Sequence, residues 1–178
     1  MKKIAVLLIC MMFTGISFAQ ENPFERIKFL IGDWSGTISD CKETRSKLTS
    51  SFQYVKDGKQ IEVAYKVRGK FESSQFHIKY DTERQVITCD RVILCNFELR
   101  EALSVKFILD DSLSTDTKFV FMSEDIKSTS ESNENSTIKN VRWTINKISE
   151  NEIKDELEIA YTGKEMKCIR CMNLIRRQ

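Results

Sequence analysis

The sequence predicts an all-β protein with a short helical turn followed by about ten antiparallel strands. The strands are expected to form either a closed sheet or a sandwich. Apolar side chains alternate with polar or charged ones in five separate runs, at 61–67, 76–80, 103–109, 141–145 and 153–161. This period of two is typical of strands with one buried and one solvated face. Turn-forming residues separate the runs, and no later segment has a sustained helical period. We therefore expect each strand to be antiparallel to the one before it.

The helical turn is predicted directly before the first strand. Asn22-Pro23 is typical of a helix start, with the Asn side chain as the N-cap and Pro at the first helical position. Phe24, Ile27, Leu30 and Ile31 then recur at helical spacing and define one apolar face. Gly32 ends this element, and the chain enters a strand at Trp34.

The connections between the strands are indicated by turn residues. Asp57-Gly58 favours a tight hairpin, and further turns are expected at 81–83, 110–116, 149–152 and 162–164. Val86–Leu99 is open to two interpretations, one long bent strand or a hairpin that turns near Asp90-Arg91. Ser123–Lys139 is polar and rich in Ser, Asn and Glu, which predicts a mobile surface loop, with a ligand lid as the alternative.

The first 19 residues are predicted to be a signal peptide. Lys2 and Lys3 form a charged start, residues 4–18 an apolar run, and Ser17-Phe18-Ala19 a small-x-small cleavage site before Gln20. A lipoprotein anchor on Cys10 is the alternative, disfavoured because bulky Ile9 precedes the cysteine. We expect residues 20–178 to form one domain of an exported bacterial protein, periplasmic or secreted, with no membrane span.

Charge and cysteine content narrow the possible functions. Without Lys2 and Lys3, the 28 basic residues of the chain become 26, which equals the 26 acidic residues, so a nucleic-acid partner is not expected. Residues 20–178 contain five cysteines, which is an odd number, so at least one thiol is free or pairs with another molecule. They are Cys41, Cys89, Cys95, Cys168 and Cys171.

The Cys168-Ile169-Arg170-Cys171 segment suggests a redox or zinc motif, but it falls in the last predicted strand. Residues three apart on a regular strand point to opposite faces and lie ~10 Å apart, beyond the roughly 7 Å limit for a disulfide. Structural thiols or one inter-strand disulfide are therefore expected. Metal and redox roles are the alternatives.

The opening segment Phe29-Leu30-Ile31-Gly32-Asp33-Trp34-Ser35-Gly36 resembles that of calycin-type β-barrels, which include lipocalins, nitrobindins and uncharacterised exported bacterial barrels with an F-L-x-G-x-W-x-G motif. The resemblance implies a single up-and-down barrel. It also implies that Gly32 and Trp34 close one end of the barrel and that an Arg of the last strand lies against the Trp34 ring. Arg176 is the candidate for that arginine, with Arg170 as the alternative.

No catalytic set, metal site or cofactor is expected. The chain has one histidine, His77, and its apolar neighbours Phe76 and Ile78 place its ring on the outward face. The histidine ligation of haem in nitrobindin-like barrels is therefore not expected here. No Ser-His-Asp or Cys-His pair and no glycine-rich phosphate loop is evident, so the protein is not predicted to be an enzyme.

The sequence favours an exported binding protein that holds a small apolar or amphipathic ligand in the barrel. The alternative is an envelope interaction or scaffold protein with a filled barrel, and the oligomeric state is left open. Asp155 falls on an apolar face, where a carboxyl group needs a partner, and Arg170 or Arg176 on the last strand are the expected partners. The candidate ligand-binding residues are Tyr65, Phe76, Phe107, Phe121, Trp143, Asp155 and Arg170.

Overall fold

The protein is described by a computed structural model that covers residues 22–40, 45–68, 73–96, 101–128 and 138–178. The predicted signal peptide, Cys10 and Cys41 lie outside these ranges. A 3₁₀ helix and ten strands make up the fold: the helix Glu25–Leu30, β1 Gly32–Asp40, β2 Arg45–Val55, β3 Gln60–Val67, β4 Ser73–Asp81, β5 Val86–Asn96, β6 Glu101–Leu109, β7 Lys118–Ser128, β8 Ile138–Ser149, β9 Glu152–Tyr161 and β10 Lys167–Arg176.

The ten strands form one closed antiparallel barrel. Each strand pairs with the next along the chain, and β1 pairs with β10 to close the ring. The closing seam runs in register from Trp34 opposite Arg176 to Asp40 opposite Arg170. The predicted fold class, an up-and-down barrel after a helical turn, is confirmed.

The N-terminal helix covers one end of the barrel, which we call the floor. Phe24, Ile27 and Leu30 of the predicted apolar face are fully buried there, and Ile31 is partly buried against the same core. The helix starts at Glu25 rather than at Pro23, and the Asn22 side chain instead accepts a hydrogen bond from the Phe24 N–H at 3.0 Å. No helix within the described ranges is long and apolar enough to cross a membrane.

The hairpin between β2 and β3 forms where the sequence predicts it. Lys56, Asp57 and Gly58 all have positive φ, at 51°, 56° and 82°. Asp and Gly tolerate this left-handed region better than most residues do, which explains why the turn forms here.

Two predicted connections differ from the structure. Val86–Asn96 is a single strand whose pairing with β6 runs without interruption from Thr88 to Leu94, so the hairpin alternative is wrong. The predicted loop 123–139 is wrong at both of its ends, because β7 extends to Ser128 and β8 begins at Ile138. Main-chain hydrogen bonds to β6 hold the end of β7 in the sheet, and they do not require apolar side chains. Residues 129–137, and with them most of the lid alternative, lie outside the described residues.

Candidate ligand site in the barrel interior

The barrel interior contains a cluster of aromatic side chains from five strands. Trp143 lies at its centre, stacked on Phe121 with ring centroids 4.6 Å apart and in edge contact with Phe76 at 5.6 Å and Phe107 at 6.2 Å. Tyr65 packs on Phe76 at 5.7 Å. The structure therefore brings together all five aromatic residues proposed from the sequence, and every one of them is buried.

Asp155 is buried among these rings, with 1% of its surface exposed. Its Oδ2 accepts one hydrogen bond from the Tyr65 hydroxyl at 3.0 Å and another from the Trp143 indole N–H at 2.9 Å. Its Oδ1 has no hydrogen-bond partner among the described residues. Arg176 is not a partner of Asp155, because it lies at the floor against Trp34. Two aromatic side chains therefore orient the carboxylate, and its Oδ1 accepts no hydrogen bond from a described residue.

Arg91 is the residue of this site that the sequence analysis missed. It is 2% exposed, and its guanidinium carbon lies 4.6 Å from the centroid of the Phe76 ring, 4.9 Å from that of Trp143 and 5.4 Å from that of Tyr65. None of its three side-chain nitrogens has a hydrogen-bond partner among the described residues. The alternation of Ile87, Cys89, Arg91 and Ile93 was the available signal, since a single arginine interrupts an apolar face.

Arg170 also contributes positive charge to the interior. A register shift between Cys168 and Arg170 makes a bulge, after which Arg170 pairs with the buried Leu157 and Met172 is buried two residues later. This alternation places Arg170 on the inward face. The pKa of Tyr65 is raised, chiefly because the hydroxyl is buried and secondly by the charge of Asp155, whereas Arg91 and Arg170 act in the opposite direction. Two arginines and one carboxylate therefore lie close enough to influence the same hydroxyl.

The same bulge corrects the prediction that Cys168 and Cys171 point to opposite faces. Cys168 pairs with Glu158 and Cys171 with Glu156, two residues whose carboxylates form ion pairs on the outer face. The extra residue shifts the alternation by one position, so both cysteines lie on the outside of the barrel. Cys89 is buried and Cys171 half-buried, and both thiols are free.

The floor is built by the predicted structural motif rather than by ligand-binding groups. The Arg176 guanidinium carbon lies 4.4 Å from the centroid of the Trp34 ring. Arg176 also donates hydrogen bonds to the carbonyl oxygens of Ile31 at 2.6 Å and Phe29 at 2.5 Å. The Trp34 indole N–H donates to the Leu30 carbonyl at 2.8 Å, and Trp34 is fully buried, as predicted. Arg176, rather than Arg170, is therefore the stacking cation.

Gly32 of the motif is required chiefly by its backbone conformation, and Gly36 by close packing. Gly32 has φ +134°, and a Cβ built on it would lie 2.6 Å from a guanidinium nitrogen of Arg176. A Cβ on Gly36 would lie 1.8 Å from the carbonyl oxygen of Asn173 on β10. Gly36 therefore permits the close approach of the two strands that close the barrel.

His77 lies on the outer face, as predicted. Its side chain is 37% exposed, and its Nε2 is 3.5 Å from a carboxylate oxygen of Glu62 on the neighbouring strand. Within the described ranges, no cluster of three or more His, Cys, Asp or Glu side chains is arranged to hold a metal ion. The metal alternative for the cysteines thus gains no support from the part of the chain that the structure covers.

Comparison with known proteins identifies the fold but no family. No protein-family model matches the sequence, and no curated protein matches it. Among solved structures, the barrel is similar to the crystal structure of Rv2717c from M. tuberculosis, with a TM-score of 0.56 and 11% sequence identity. The match covers 88% of this chain and 98% of that chain. At this identity the similarity concerns the barrel fold alone.

Proposed function

We propose that the protein is an exported, non-enzymatic binding protein of the calycin type that holds a small apolar or amphipathic molecule inside its barrel. The observation that carries the proposal is the Asp155 carboxylate, which is buried in an aromatic interior, oriented by Tyr65 and Trp143, and left with one oxygen available. Small-molecule sites are typically lined by apolar and aromatic side chains around a few fixed polar groups.

The energetics of burial support this proposal. A buried polar atom without a hydrogen-bond partner costs about 1–3 kcal/mol, so such atoms are rare in folded proteins unless water or a ligand reaches them. Such atoms in the described residues include one oxygen of Asp155 and all three side-chain nitrogens of Arg91. A bound molecule with a polar end would supply the missing partners and place its apolar part against the rings.

Export and calycin membership rest on the sequence. The predicted signal peptide supports export, and the F-L-x-G-x-W-x-G segment supports the calycin resemblance. The contact between Trp34 and Arg176 is the one that this resemblance implies.

A filled barrel that acts as an envelope interaction module is the second candidate. The observation in its favour is that Val92, Ile148 and Ile175 are 57–61% exposed on the described surface. They lie on three different strands, and single exposed apolar residues are normal on soluble proteins. The interior cluster therefore favours ligand binding over this candidate.

The proposal is tested by native mass spectrometry of the protein purified from its own host. Solvent extraction of the same sample then identifies any bound molecule. We expect a co-purifying small molecule, and we expect the extracted protein to bind the neutral apolar fluorophore N-phenyl-1-naphthylamine. Ile175→Ser serves as a control, because it removes exposed apolar surface and should leave fluorophore binding unchanged. A protein that carries no molecule and binds no fluorophore would contradict the proposal. Loss of binding in Ile175→Ser would instead favour the interaction module.

A further inference from the structure

We propose that Cys168 and Cys171 form a reversible disulfide on the outer face of the barrel, by exchange with an external disulfide. The proposal goes beyond the proposed function, because it concerns the outside of β10 and does not depend on a ligand in the interior. Its basis is the bulge in β10, which places both cysteines on the same face at a spacing that a disulfide can span.

The bulge removes the geometric objection to a bond between these two residues. On a regular strand, residues three apart point to opposite faces. Here Cys168 and Cys171 lie opposite Glu158 and Glu156, which are only two residues apart on β9. Two residues of a strand span about 6.6–6.8 Å, so the Cα atoms of the two cysteines are separated by about that distance. This separation lies at the upper end of the range of about 4.4–6.8 Å that is found in disulfides.

The side chain of Cys168 is directed toward Cys171. Its thiol donates a hydrogen bond to the carbonyl oxygen of Arg170 at 3.3 Å. In a trans peptide this oxygen lies about 2.8 Å from the Cα of the next residue, which is Cys171. The Sγ of Cys168 is therefore no more than about 6 Å from the Cα of Cys171. We expect rotation of the two side chains, without separation of the strands, to bring the sulfur atoms together.

The electrostatic environment also indicates that the two thiols are neighbours. The pKa of Cys171 is raised, chiefly by partial burial, and the charges of Glu156 and Cys168 act in the same direction, whereas Lys154 lowers it. Lys154 is influenced in turn by both cysteines, after its ion pair with Glu156. Cys168 is exposed and Cys171 is half-buried. An external oxidant therefore meets Cys168 first, with Cys171 placed beside it as the second thiol.

The exchange proceeds in two steps. The thiolate of Cys168 attacks one sulfur of an external disulfide such as oxidised glutathione, whose S–S bond breaks as a mixed disulfide forms. The thiolate of Cys171 then attacks the Sγ of Cys168 and displaces the second external thiolate. Each released thiolate takes up one of the two protons that the cysteines lose. The protein is oxidised by two electrons, and the external disulfide is reduced to two thiols.

Peptide mapping after oxidation tests the proposal. Reduced protein is incubated with oxidised glutathione, denatured in the presence of iodoacetamide, and digested with trypsin without reductant. Cleavage after Lys167, Arg170 and Arg176 places Cys168 and Cys171 on separate peptides, so their disulfide is detected as a cross-linked pair. We expect this pair to form and alkylation of both cysteines to fall by about tenfold or more, and excess dithiothreitol should restore the alkylation.

Two variants test the role of the spacing. Cys171→Ser should abolish the cross-link and leave Cys168 as a mixed disulfide with glutathione. The matched control combines Cys171→Ser with Asn173→Cys, which keeps the number of thiols. Asn173 is exposed and pairs with Lys154, four residues from Glu158 on β9. A thiol there would be about 13 Å from Cys168, so no cross-link should form. Circular dichroism checks that both variants fold, and the wild-type map tests the bond by itself.

The other outcomes would overturn the proposal. A cross-link from Cys168 to any other cysteine, Cys41 included, would show that the pairing is wrong. Mixed disulfides on Cys168 and Cys171, or no oxidation of either, would show that the two thiols do not react with each other. Equal cross-linking in the Asn173→Cys control would show that the bond does not depend on the bulge. None of these results bears on ligand binding, so the proposed function is tested separately.

Discussion

Replacement of Asp155 by Asn tests whether the buried carboxylate stabilises the barrel as well as its ligand. The substitution keeps the shape of the side chain but removes the negative charge that accepts hydrogen bonds from Tyr65 and Trp143. It also removes negative charge from an interior in which Arg91 is buried without a hydrogen-bond partner among the described residues. We therefore expect Asp155→Asn to destabilise the ligand-free protein.

The magnitude follows from these two contributions. A hydrogen bond to a charged group is worth about 1.5–3 kcal/mol and a neutral one about 0.5–1.5 kcal/mol, so weakening two bonds costs about 2 kcal/mol. Loss of the Asp155 charge also leaves the positive charge of Arg91 less compensated, which adds to this cost. This second contribution would reach ~3–5 kcal/mol only if Asp155 and Arg91 formed a direct ion pair, so we expect it to be smaller. A total of about 3 kcal/mol corresponds to a fall in Tm of roughly 6–12 °C for a domain of this size.

Thermal unfolding followed by circular dichroism, together with urea denaturation, measures the effect on ligand-free protein. Asp90→Asn is the matched control, because the Asp90 carboxylate is 60% exposed and lies 3.3 Å from Lys79 in a surface ion pair. Such pairs contribute about 0–1 kcal/mol. The reasoning would be refuted if Asp155→Asn unfolded at the same temperature and urea concentration as Asp90→Asn.

Three further predictions concern the seam, the floor and the thiols. Gly36→Ala should destabilise the barrel by more than ~2 kcal/mol in urea denaturation, because the added Cβ would overlap a main-chain oxygen of the paired strand. Gly163→Ala is the control, with φ +72° and open space around it, and should cost only about 1–2 kcal/mol of backbone strain. Equal effects of the two substitutions would contradict the role of Gly36 at the seam. Trp34→Ala should cost ~3–5 kcal/mol in the same assay, since the side chain is fully buried, and a loss below 1 kcal/mol would show that it does not support the floor. Burial raises the pKa of Cys89 from 9.0 to about 12, so folded protein at pH 8 should react with iodoacetamide at the exposed Cys168 and not at Cys89. The contribution of Cys89 to stability should fall as the pH rises from about 9 toward 12, because the thiol then loses its proton more readily in the unfolded chain. Rapid labelling of Cys89, detected by mass spectrometry, would refute its burial.

The fold was predictable because the barrel repeats one local pattern. In β9, for example, Ile153, Asp155, Leu157 and Ile159 are buried while the residues between them are more exposed. This alternation is visible in the sequence, and so are the helical face and the Gly-x-Trp segment. The end of β7 was missed because its pairing depends on the main chain of β6, and a polar sequence does not reveal such pairing.

The candidate site was predictable only in part. Tyr65, Trp143 and Asp155 were identified as inward-facing residues from their positions on separate strands, but their mutual hydrogen bonds depend on how distant strands align. Arg170 faces inward in regular alternation with Met172, whereas the bulge before it reverses the direction of the preceding Cys168. A bulge leaves no clear signal in a single sequence.

The sequence by itself determined which residues are apolar or polar, how they alternate, and where turns interrupt them, since these are properties of neighbouring residues. It therefore predicted about ten strands, the helix of the floor and the inward position of Asp155. Only the tertiary structure decided that Arg91 from β5, Tyr65 from β3, Trp143 from β8 and Asp155 from β9 meet at one place. The physical reason is that closure of the barrel brings together side chains that lie up to 90 residues apart in the chain, and the register of each strand pair sets which of them come into contact.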